Sequence, residues 1–562
     1  MQFADFLDCL QCPVCTNGLE FKSVEGANRP DPALDGHFGV LSCGCSKYPV
    51  IADIPVLMEK PLGLMSHWND GAVYAGPTPG QIVSLIEKGD WQEALIQALV
   101  FPQIFPGHWR LSGKPYWPTR LTRRAGLVIT RQRLDKLLFK ERRSLTVKAW
   151  TDLFFAKRSG NNDYLSEYFS AKVTMPRFLS AMALVQRLPR GREPVVDLAC
   201  GMGHVAGYLT ERAASSQAIG IDLNFHQLWG ARHLIARKAW FVCGDFGAGL
   251  PIKSGRASAV ICSDAFQFLP DKPMTMGEIE RIAPGEPIIV ARAGSLGVGP
   301  ANPPWGGELT PGGYLELLGP ERTRIFADDR LWKDYLLRRD PLVQTVPNLD
   351  DLAWEKYLSF AVNWQALDPM PSSEERRPHA LGQLVVNPYY RAVESGASEL
   401  DLQFGFSSIW GAYEDADMSA YVQKWVTLEK GLIEKGIADP ESDTARDLIE
   451  RFILHQPIDC QSLLRFSCRC GPRCRVGTRK HLGDQRGIVL LLAPVPAYRR
   501  AMICRQLLWF CRCPRRYASS SSGSWSAICH GAAFVAGRVS ASIAMLRHAH
   551  QELCTSPHSR DH

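Results

Sequence analysis

The feature that most constrains the fold is a short apolar run that ends in two closely spaced glycines. Residues 194–200 (PVVDLAC) have the composition of a buried strand, with Asp197 near its end. Gly201 and Gly203 follow, and residues 204–212 have the pattern of a helix. A glycine turn between a strand and a helix lets a ligand approach bare backbone beside the N–H groups of the helix. The run predicts an α/β domain that binds a nucleotide-like ligand.

Four further apolar runs continue this alternation of strands and helices, which is typical of a parallel sheet covered on both faces. They are residues 218–222 (AIGID), 240–243, 258–264 (SAVICSD) and 286–292 (EPIIVAR). The second strand ends in Asp222, about 20 residues beyond the glycine turn, where a carboxylate can accept both ribose hydroxyls. Asp245 and Phe246 follow the third strand, where an acid and an aromatic ring can hold adenine.

In their order and spacing, VVDLACGMG, IGIDLN, GDFGAGLPI and SAVICSDAFQFLPD resemble the class I S-adenosylmethionine-dependent methyltransferases. The likeness is closest to the broad type 11 group, which contains the ubiquinone/menaquinone-biosynthesis C-methyltransferases. The resemblance implies a Rossmann-like sheet with S-adenosylmethionine as the cofactor. The cofactor and acceptor positions that it implies are Asp197, Ala199, Gly201 and Gly203 for methionine, Asp222 for ribose, Asp245 and Phe246 for adenine, and Ser263, Asp264 and Phe266 on the acceptor side.

The alternative interpretation is a doubly wound domain for a nucleotide such as NAD, which the third- and fourth-strand signatures do not fit. The helix after the fourth strand is short (274–283), which leaves the domain boundaries open. His204 and Asp264 are the catalytic candidates, although His204 is equally well explained as a plain helix-start residue. We expect His226 and His233 to face solvent. Methyl transfer is an in-line displacement at an activated sulfonium, so alignment matters more than an evident general base.

Paired cysteines near the start of the chain indicate a second site. Cys12 and Cys15 form a C-x2-C pair, and Cys43 and Cys45 form a C-x-C pair. Two such pairs complete a tetrahedral zinc set, which with four thiolates is structural rather than catalytic. Residues 5–58 resemble the small zinc-ribbon protein that activates several tRNA, rRNA and protein methyltransferases. The tighter second pair leaves open that Cys9 contributes, or that the ribbon has lost or weakened its metal.

Changes in composition and in hydrophobic periodicity divide the chain into five regions. We predict a zinc ribbon (1–58), a mostly helical linker (60–190), the methyltransferase core (191–295), a substrate-side α+β region (296–458) and a low-order tail (459–562). Within them, 81–100 and 420–434 have helical spacing, 381–387 and 399–406 resemble strands, and 447–454 resembles a helix. The tail is rich in Arg, Cys and Ser, and its abrupt onset suggests the hypothesis of a reading-frame slip in the gene.

The overall net charge is +7, but the basic excess lies at the end of the chain and not in its body. From residue 459 onward there are sixteen Lys/Arg against four Asp/Glu, which leaves 48 basic and 53 acidic residues before that point. A mildly acidic body does not favour nucleic-acid binding. The first residues lack a secretory signal pattern, and no 18 apolar residues run together, so we expect a cytoplasmic protein without a membrane span.

These observations predict a methyltransferase that acts on a small-molecule or natural-product-like acceptor, with aromatic residues of 296–458 on the substrate side. An RNA methyltransferase is the second hypothesis, because residues 110–143 are basic and a zinc ribbon ahead of a class I core resembles the rRNA guanine-N1 enzymes. A scaffold that binds the cofactor without turnover is the third. The NPPW sequence at 302–305 follows the fifth strand instead of the fourth, so we interpret it as a turn. The oligomeric state stays open.

Overall fold

The computed structural model describes residues 1–455, apart from several gaps. The gaps are 25–35, 67–72, 101–109, 112–113, 116–119, 141–144, 156–167, 170–171, 190–192, 213–216, 270, 298–306, 337–339, 343–347, 370–384, 388, 396–397, 406–421 and 439–441. The NPPW sequence, most of the predicted strand at 381–387 and the whole tail from 459 lie outside the described residues.

Short strands dominate the first and middle parts of the chain. They are β1 (Glu20–Ser23), β2 (Gly39–Ser42), β3 (Lys47–Ile51), β4 (Ile54–Leu57), β5 (Gly63–Ser66), β6 (Val73–Ala75), β7 (Arg110–Leu111), β8 (Lys114–Pro115), β9 (Val195–Leu198), β10 (Ala218–Asp222), β11 (Trp240–Gly244), β12 (Ala259–Ser263), β13 (Ile288–Gly294), β14 (Thr323–Ala327), β15 (Tyr357–Val362), β16 (Val385–Val386), β17 (Tyr390–Ser395), β18 (Glu399–Phe404), β19 (Trp425–Glu429) and β20 (Leu454–His455).

The α-helices are α1 (Phe3–Asp8), α2 (Pro79–Glu87), α3 (Trp91–Val100), α4 (Arg120–Asp135), α5 (Val147–Phe155), α6 (Pro176–Val185), α7 (His204–Arg212), α8 (Phe225–Gly230), α9 (Lys272–Ile282), α10 (Pro311–Leu318), α11 (Asp328–Leu336), α12 (Leu349–Leu352), α13 (Lys430–Ala438) and α14 (Asp443–Glu450). Wider π-helical turns at Lys136–Lys140 and Ala231–Ile235 continue α4 and α8. Within the described residues, no helix is both long and apolar enough to cross a membrane.

Eleven strands form one sheet in the order β1-β2-β3-β4-β11-β10-β9-β12-β13-β15-β14. From β11 to β13 all neighbours are parallel, and helices cover both faces. The five strands consist almost entirely of buried apolar residues, as strands covered on both sides must. This arrangement confirms the Rossmann-like fold predicted from the sequence.

The predicted end of the core at residue 295 lies inside the sheet. β15 runs antiparallel between β13 and β14, so the sheet continues to Val362. Nothing in 296–322 has strand periodicity, and the two added strands are separated by α11 and α12. Antiparallel edge strands carry no glycine signature of their own, so the sequence pattern does not reveal β14 and β15 as members of this sheet.

The ribbon belongs to the same sheet. β1 to β4 form an antiparallel meander, and β4 then pairs in parallel with β11, with Val56 opposite Cys243 and Leu57 opposite Gly244. Beside this junction the Phe6 ring stacks on Trp240, with centroids 5.0 Å apart. The ribbon therefore covers the edge of the parallel sheet that would otherwise be left unpaired.

Two sequence predictions outside the sheet need correction. The helical run at 81–100 is two helices, because Gly89 adopts a left-handed φ of 83° and ends α2. The predicted helix at 420–434 is wrong for residues 425–429, which form β19. Along β19 exposed and buried residues alternate strictly, the period of a half-buried strand, and only α13 beyond it is helical.

β19 completes a small three-stranded antiparallel sheet with β17 and β18, and α13 packs on α14 nearby. α14 begins at Asp443, four residues before the predicted start, and ends at Glu450. Of the aromatic residues assigned to the substrate side, Tyr314 and Tyr389 are fully buried and Trp354 is 70% exposed. The first two are ordinary core residues, in agreement with the plainer interpretation of those aromatics.

Candidate functional site

Three neighbouring strands of the sheet end in strained backbone. Ala199 after β9, Asp264 after β12 and Arg292 near the end of β13 have φ values of 53°, 59° and 54°. Non-glycine residues rarely adopt this left-handed conformation, and such strain clusters where ligands are held. The carboxyl ends of β9 and β12 also flank the point where the strand order reverses, which is where α/β sheets bind ligands.

The glycine turn connects β9 to the carboxylate at the end of β10. The backbone N–H of Gly201 donates a hydrogen bond of 2.9 Å to Asp222, and Asn224 donates to the same carboxylate from the backbone (2.8 Å) and the side chain (3.0 Å). Burial raises the pKa of Asp222 despite these bonds. The carboxylate is thus held rigidly beside the turn.

Close packing explains the glycine at position 203, where the sequence predicts a ligand contact. Its φ is 72°, and a Cβ atom there would lie 2.8 Å from the Cβ of Ala231 and 3.0 Å from the ring of Phe241. Gly203 therefore allows α7 to pack closely against its neighbours. At Gly201 an added Cβ would lie 3.2 Å from the side-chain oxygen of Gln227 and 3.8 Å from the ring of Phe169, so this face of the turn is the more open one.

Two oxygen atoms, one on β9 and one on β12, are buried without a hydrogen-bond partner among the described residues. They are Oδ2 of Asp197 and Oγ of Ser263, whose residues are 1% and 7% exposed. Burial raises the pKa of Asp197 to about 7, although the nearby Lys172 opposes that rise. Buried polar groups are nearly always paired, so both atoms indicate room for a polar ligand.

Asp245 lies at the end of β11, where the sequence predicts an adenine contact. Its Oδ1 accepts a hydrogen bond of 3.0 Å from the backbone of Gly247, and its Oδ2 forms an ion pair with Lys60, just beyond the ribbon. Phe246 is 6% exposed and belongs to the core beside Trp240. Lys60 was missed from the sequence because nothing near it forms a motif.

On the acceptor side Asp264 is surrounded by cations. Nη1 of Arg177 donates to it at 2.6 Å and the hydroxyl of Tyr168 at 3.3 Å, while Nε of Arg292 lies 3.9 Å away. Burial alone would raise the pKa of Asp264, but Arg177, Arg292 and Lys172 outweigh it and lower the pKa. The side chain is 13% exposed. Asp264 is therefore an ionised anchor for these cations and a weak base.

Arg292 is held from the opposite direction by Asp328. Its Nη1 donates to Asp328 at 2.8 Å, and both side chains are almost fully buried. The hydroxyl of Ser359 donates to the same carboxylate at 2.8 Å, and the guanidinium lies 4.0 Å from the centroid of Tyr357. Since β15 and α11 supply this support, the site depends on the part of the sheet beyond residue 295.

His204 sits at the start of α7 with its Nε2 2.9 Å from the carbonyl of Phe169. A carbonyl only accepts, so Nε2 carries the proton and Nδ1 is the basic atom. Burial lowers the pKa of His204 to about 3, with Lys172 adding to the effect. His204 therefore ties the Phe169 backbone to the helix, and at neutral pH it is a poor general base.

Three other side-chain predictions are corrected or completed here. His226 does not face solvent: it is 5% exposed, its ring lies 4.9 Å from that of Phe154, and burial lowers its pKa to about 3. His233 is partly buried, with Nε2 3.3 Å from the carbonyl of Ala52. Phe266 is fully buried against Tyr314, so its ring belongs to the core and does not face an acceptor.

Tyr168, Lys172 and Arg177 are further site residues, besides Lys60, that sequence reasoning missed. They precede β9, in a segment predicted only as part of a helical linker. Pro176 starts α6, and that helix packs on β13 and α11, which brings Arg177 to Asp264. Their spacing matches no motif, so only the tertiary packing reveals them.

The four predicted metal-ligating cysteines converge. The Sγ of Cys45 lies 3.6 Å from that of Cys12, 3.1 Å from Cys43 and 3.3 Å from Cys15, and all four sulfurs lie within 4.8 Å of one another. Four sulfurs bound tetrahedrally to zinc at about 2.3 Å would be about 3.8 Å apart. The donor set therefore fits zinc in number, chemistry and size.

Cys9 is not part of this cluster. Its thiol contacts the carbonyl of Asp5 at 3.4 Å and the guanidinium of Arg256 at 3.6 Å, and burial raises its pKa. Within the cluster, burial opposes ionisation of Cys12. Hydrogen bonds from the backbone of Cys15 and the hydroxyl of Tyr48 outweigh that effect and lower the pKa of Cys12 to about 6. A low thiol pKa favours metal binding.

Comparisons with known proteins bear on the parallel sheet. Residues 195–284 match the family described as "Methyltransferase domain". Similar solved structures include a SAM-dependent methyltransferase from Aquifex aeolicus (13% identity, 31% of this chain and 83% of that chain, TM-score 0.23). Another is a TehB-like SAM-dependent methyltransferase from Corynebacterium glutamicum (16% identity, 33% of this chain and 86% of that chain, TM-score 0.24). A third is a chain from the complex containing the Haloferax volcanii Trm112 methyltransferase activator (18% identity, 39% of this chain and 97% of that chain, TM-score 0.27). No curated protein matches the chain.

The family match begins at β9 and ends just after α9, so it contains the glycine turn and the strand ends that carry Asp197, Asp222, Asp245 and Asp264. These are the positions at which the structure concentrates buried carboxylates, strained backbone and unpartnered polar atoms. The chain therefore carries a methyltransferase domain, which spans residues 195–284.

Proposed function

We propose that this enzyme methylates a small-molecule acceptor, and that the acceptor binds between the end of β12 and the segment that contains Tyr168 and Arg177. The observation that carries the proposal is the enclosure of this edge. Asp264 is 13% exposed and Arg177 15%, because α6 and the turn before it pack over the strand ends. A charged site that is covered in this way suits a small polar acceptor better than a long backbone bound at the surface.

For the cofactor, we propose that Asp222 binds the ribose hydroxyls and that Asp245 receives the adenine end, with Phe246 supporting that wall from the core. Ala199, Gly201 and Gly203 shape the turn around the methionine part, and Ser263 faces it from β12. The unpartnered oxygens of Asp197 and Ser263 fit such a ligand. When bound, S-adenosylmethionine supplies a methyl group already activated by its sulfonium.

The protein's own contribution is then alignment more than proton transfer. Asp264 is fixed by Arg177 and has a lowered pKa, and His204 has a pKa of about 3. Neither group is tuned toward neutral pH as a strong general base would be. We propose that both residues position the acceptor pocket, and that the acceptor atom is already nucleophilic or loses its proton to water.

For the ribbon, we propose that Cys12, Cys15, Cys43 and Cys45 hold one structural zinc ion. Four thiolates leave no open coordination position for chemistry. A reducing compartment, such as the cytoplasm, would keep these thiols available for the metal. The ribbon (1–58), the helical linker (60–190) and the sheet to residue 362 then form the catalytic body, and residues 385–455 add a small α+β unit.

The test is to incubate purified protein with methyl-labelled S-adenosylmethionine and a cell extract, and then to separate small molecules, RNA and protein. We expect the label in the small-molecule fraction, at a level that falls when Asp222 is replaced by Ala. Label in rRNA or tRNA would reject the proposed acceptor and favour the RNA hypothesis. Tight cofactor binding without label in any fraction would favour a scaffold without turnover.

A further inference from the structure

The segment that leaves the ribbon reaches the cofactor edge of the sheet. β4 and β11 run parallel, with Leu57 opposite Gly244, so the residues that follow both strands leave the sheet at the same edge. Three residues beyond Leu57, the Nζ of Lys60 forms an ion pair with Oδ2 of Asp245, the residue directly after β11. The carboxyl edge of a parallel sheet is where α/β proteins bind ligands. The pairing of the ribbon therefore places Lys60 beside a residue of the proposed cofactor site.

This ion pair fixes the Asp245 carboxylate. Its Oδ1 accepts a hydrogen bond of 3.0 Å from the backbone N–H of Gly247, and Lys60 engages its Oδ2, so both oxygens are held. The Asp245 side chain is 9% exposed, whereas that of Lys60 is 49% exposed. An ion pair with one partner half in solvent adds little to folding stability. The contact therefore matters for the orientation of the carboxylate more than for the stability of the fold.

The ribbon also holds the far end of the loop that Asp245 begins. Residues 9–11 pair with residues 251–253 through backbone hydrogen bonds of 2.9 and 3.1 Å. Between these bonds, Leu10 forms an antiparallel bridge with Ile252. Residues 245–253 are thus joined to the first segment of the ribbon at one end and to Lys60 at the other. The position of this loop, and of Asp245 with it, depends on how the ribbon is seated.

We propose that Lys60 is a positioning residue of the cofactor site: it orients the Asp245 carboxylate so that the carboxylate accepts a hydrogen bond from the exocyclic amino group of adenine. This inference rests on the proposed function, in which Asp245 receives the adenine end, and it adds a residue outside the matched segment 195–284. A carboxylate has about four acceptor positions, so it binds Lys60, Gly247 and an amino group together. Hypoxanthine has a carbonyl oxygen in place of the amino group, and a carboxylate cannot donate to it. Lys60 thereby makes the base specificity of the core depend on the ribbon.

The test compares equilibrium binding of two probes, S-adenosylhomocysteine and S-inosylhomocysteine, to the full chain. The second probe carries hypoxanthine in place of adenine. For the native protein we expect S-adenosylhomocysteine to bind about ten- to hundredfold more tightly, the usual effect of a charge-assisted hydrogen bond. Asp245→Asn should bring this ratio to about one, because an amide both accepts and donates. Lys60→Met should lower the ratio at least about threefold, the scale of coupling between residues in contact, and Lys60→Arg should restore most of it.

Lys47→Met is the matched control. Lys47 is a ribbon lysine in β3 that forms an ion pair of 2.8 Å with Glu87, a residue of α2 and not of the cofactor edge. This variant should keep the native ratio. The double variant Lys60→Met/Asp245→Asn should bind both probes as Asp245→Asn alone does, because Lys60 acts through the Asp245 carboxylate.

The inference is overturned if Lys60→Met weakens both probes by the same factor or leaves both unchanged, or if the native protein does not discriminate between them. It is also overturned if Lys60→Met lowers affinity further in the Asp245→Asn background, since Lys60 would then contact the cofactor directly. In each case the native protein still binds S-adenosylhomocysteine, and the proposed methyl transfer stands. If the native protein binds neither probe, the proposed function itself fails.

Discussion

Replacing Asp53 by Asn tests how the ribbon is fixed to the sheet. Asp53 lies in the turn between β3 and β4, is 5% exposed and accepts three hydrogen bonds that tie this turn to its surroundings. The donors are the backbone of His37 (2.7 Å), Nδ1 of His37 (2.6 Å) and Nη2 of Arg232, from the π-helical turn after α8 (3.0 Å). Asn preserves the shape and tolerates the left-handed φ of 69° found here, so the change removes the charge and the oxygen that accepts from Arg232 without straining the backbone.

The expected loss follows from these contacts. Hydrogen bonds to a charged acceptor contribute about 1.5–3 kcal/mol each, and neutral ones about 0.5–1.5 kcal/mol. Asn can keep the two bonds from His37 as neutral ones at its Oδ1, but its Nδ2 is a donor and cannot accept from Arg232. The change therefore costs about 3 kcal/mol, close to the cost of breaking a buried ion pair. Local opening of the ribbon junction should become about a hundredfold more frequent, since each 1.4 kcal/mol is a factor of ten.

Labelling of the Cys243 thiol, read by peptide mass spectrometry, measures that opening. Cys243 is fully buried on β11 opposite Val56 of the ribbon, so a reagent reaches it only when the junction separates. Asp8→Asn is the matched control: Asp8 also joins the ribbon to the core, through Lys253, but it is 67% exposed. We expect Asp8→Asn to leave the labelling rate nearly unchanged. Equal rates for Asp53→Asn and the native protein would refute the reasoning.

The stabilising effect of the Asp53 carboxylate depends on pH. Burial opposes ionisation of Asp53, but His37 and Arg232 outweigh it and lower its pKa. A carboxyl whose pKa is lower in the folded state stabilises the fold above its unfolded pKa, and this contribution disappears as the pH falls through the folded value. The difference between native protein and Asp53→Asn should therefore persist at neutral pH and shrink from about pH 4 downward.

Three further outcomes are expected. Cys12→Ser should reduce bound zinc, measured by elemental analysis of the purified protein, whereas Cys9→Ser should leave it at one ion per chain; equal zinc in both would contradict the assignment. Gly203→Ala should destabilise the protein by about 1–3 kcal/mol in urea unfolding, because the new Cβ meets Ala231 and Phe241. Gly255 has a similar φ of 67° but open space around it, so Gly255→Ala measures the cost of backbone strain without the steric clash. Arg177→Met should lower the rate of methyl transfer at least tenfold while cofactor affinity changes little. A parallel loss of rate and cofactor affinity would contradict the placement of Arg177 on the acceptor side.

The parallel sheet was predictable because its signals are local. Each of β9 to β13 is an apolar run that ends near a glycine or an acid, and the chain order of these strands fixes which edge their carboxyl ends share. The cysteine spacing was equally informative, since four thiols at one end of a short meander have few other arrangements. Because the carboxyl ends of these parallel strands share one edge of the sheet, Asp197, Asp222 and Asp264 all lie along that edge.

What the sequence did not reveal depends on packing between distant segments. Lys60, Lys172 and Arg177 reach the strand ends only because the ribbon pairs with β11 and α6 packs against β13. β14 and β15 were missed as parts of the core, because antiparallel edge strands lie apart from any motif. His226 was assigned to solvent from its polarity, but α8 carries it into an aromatic cluster with Phe154.

The most direct test of the account is equilibrium binding of S-adenosylhomocysteine to the purified full chain by calorimetry, with NAD as the competing nucleotide. The account predicts one S-adenosylhomocysteine per chain, no competition by NAD, and loss of binding in Asp222→Ala but not in the exposed control Asp271→Ala. Binding of NAD in place of S-adenosylhomocysteine, or binding that does not depend on Asp222, would contradict it.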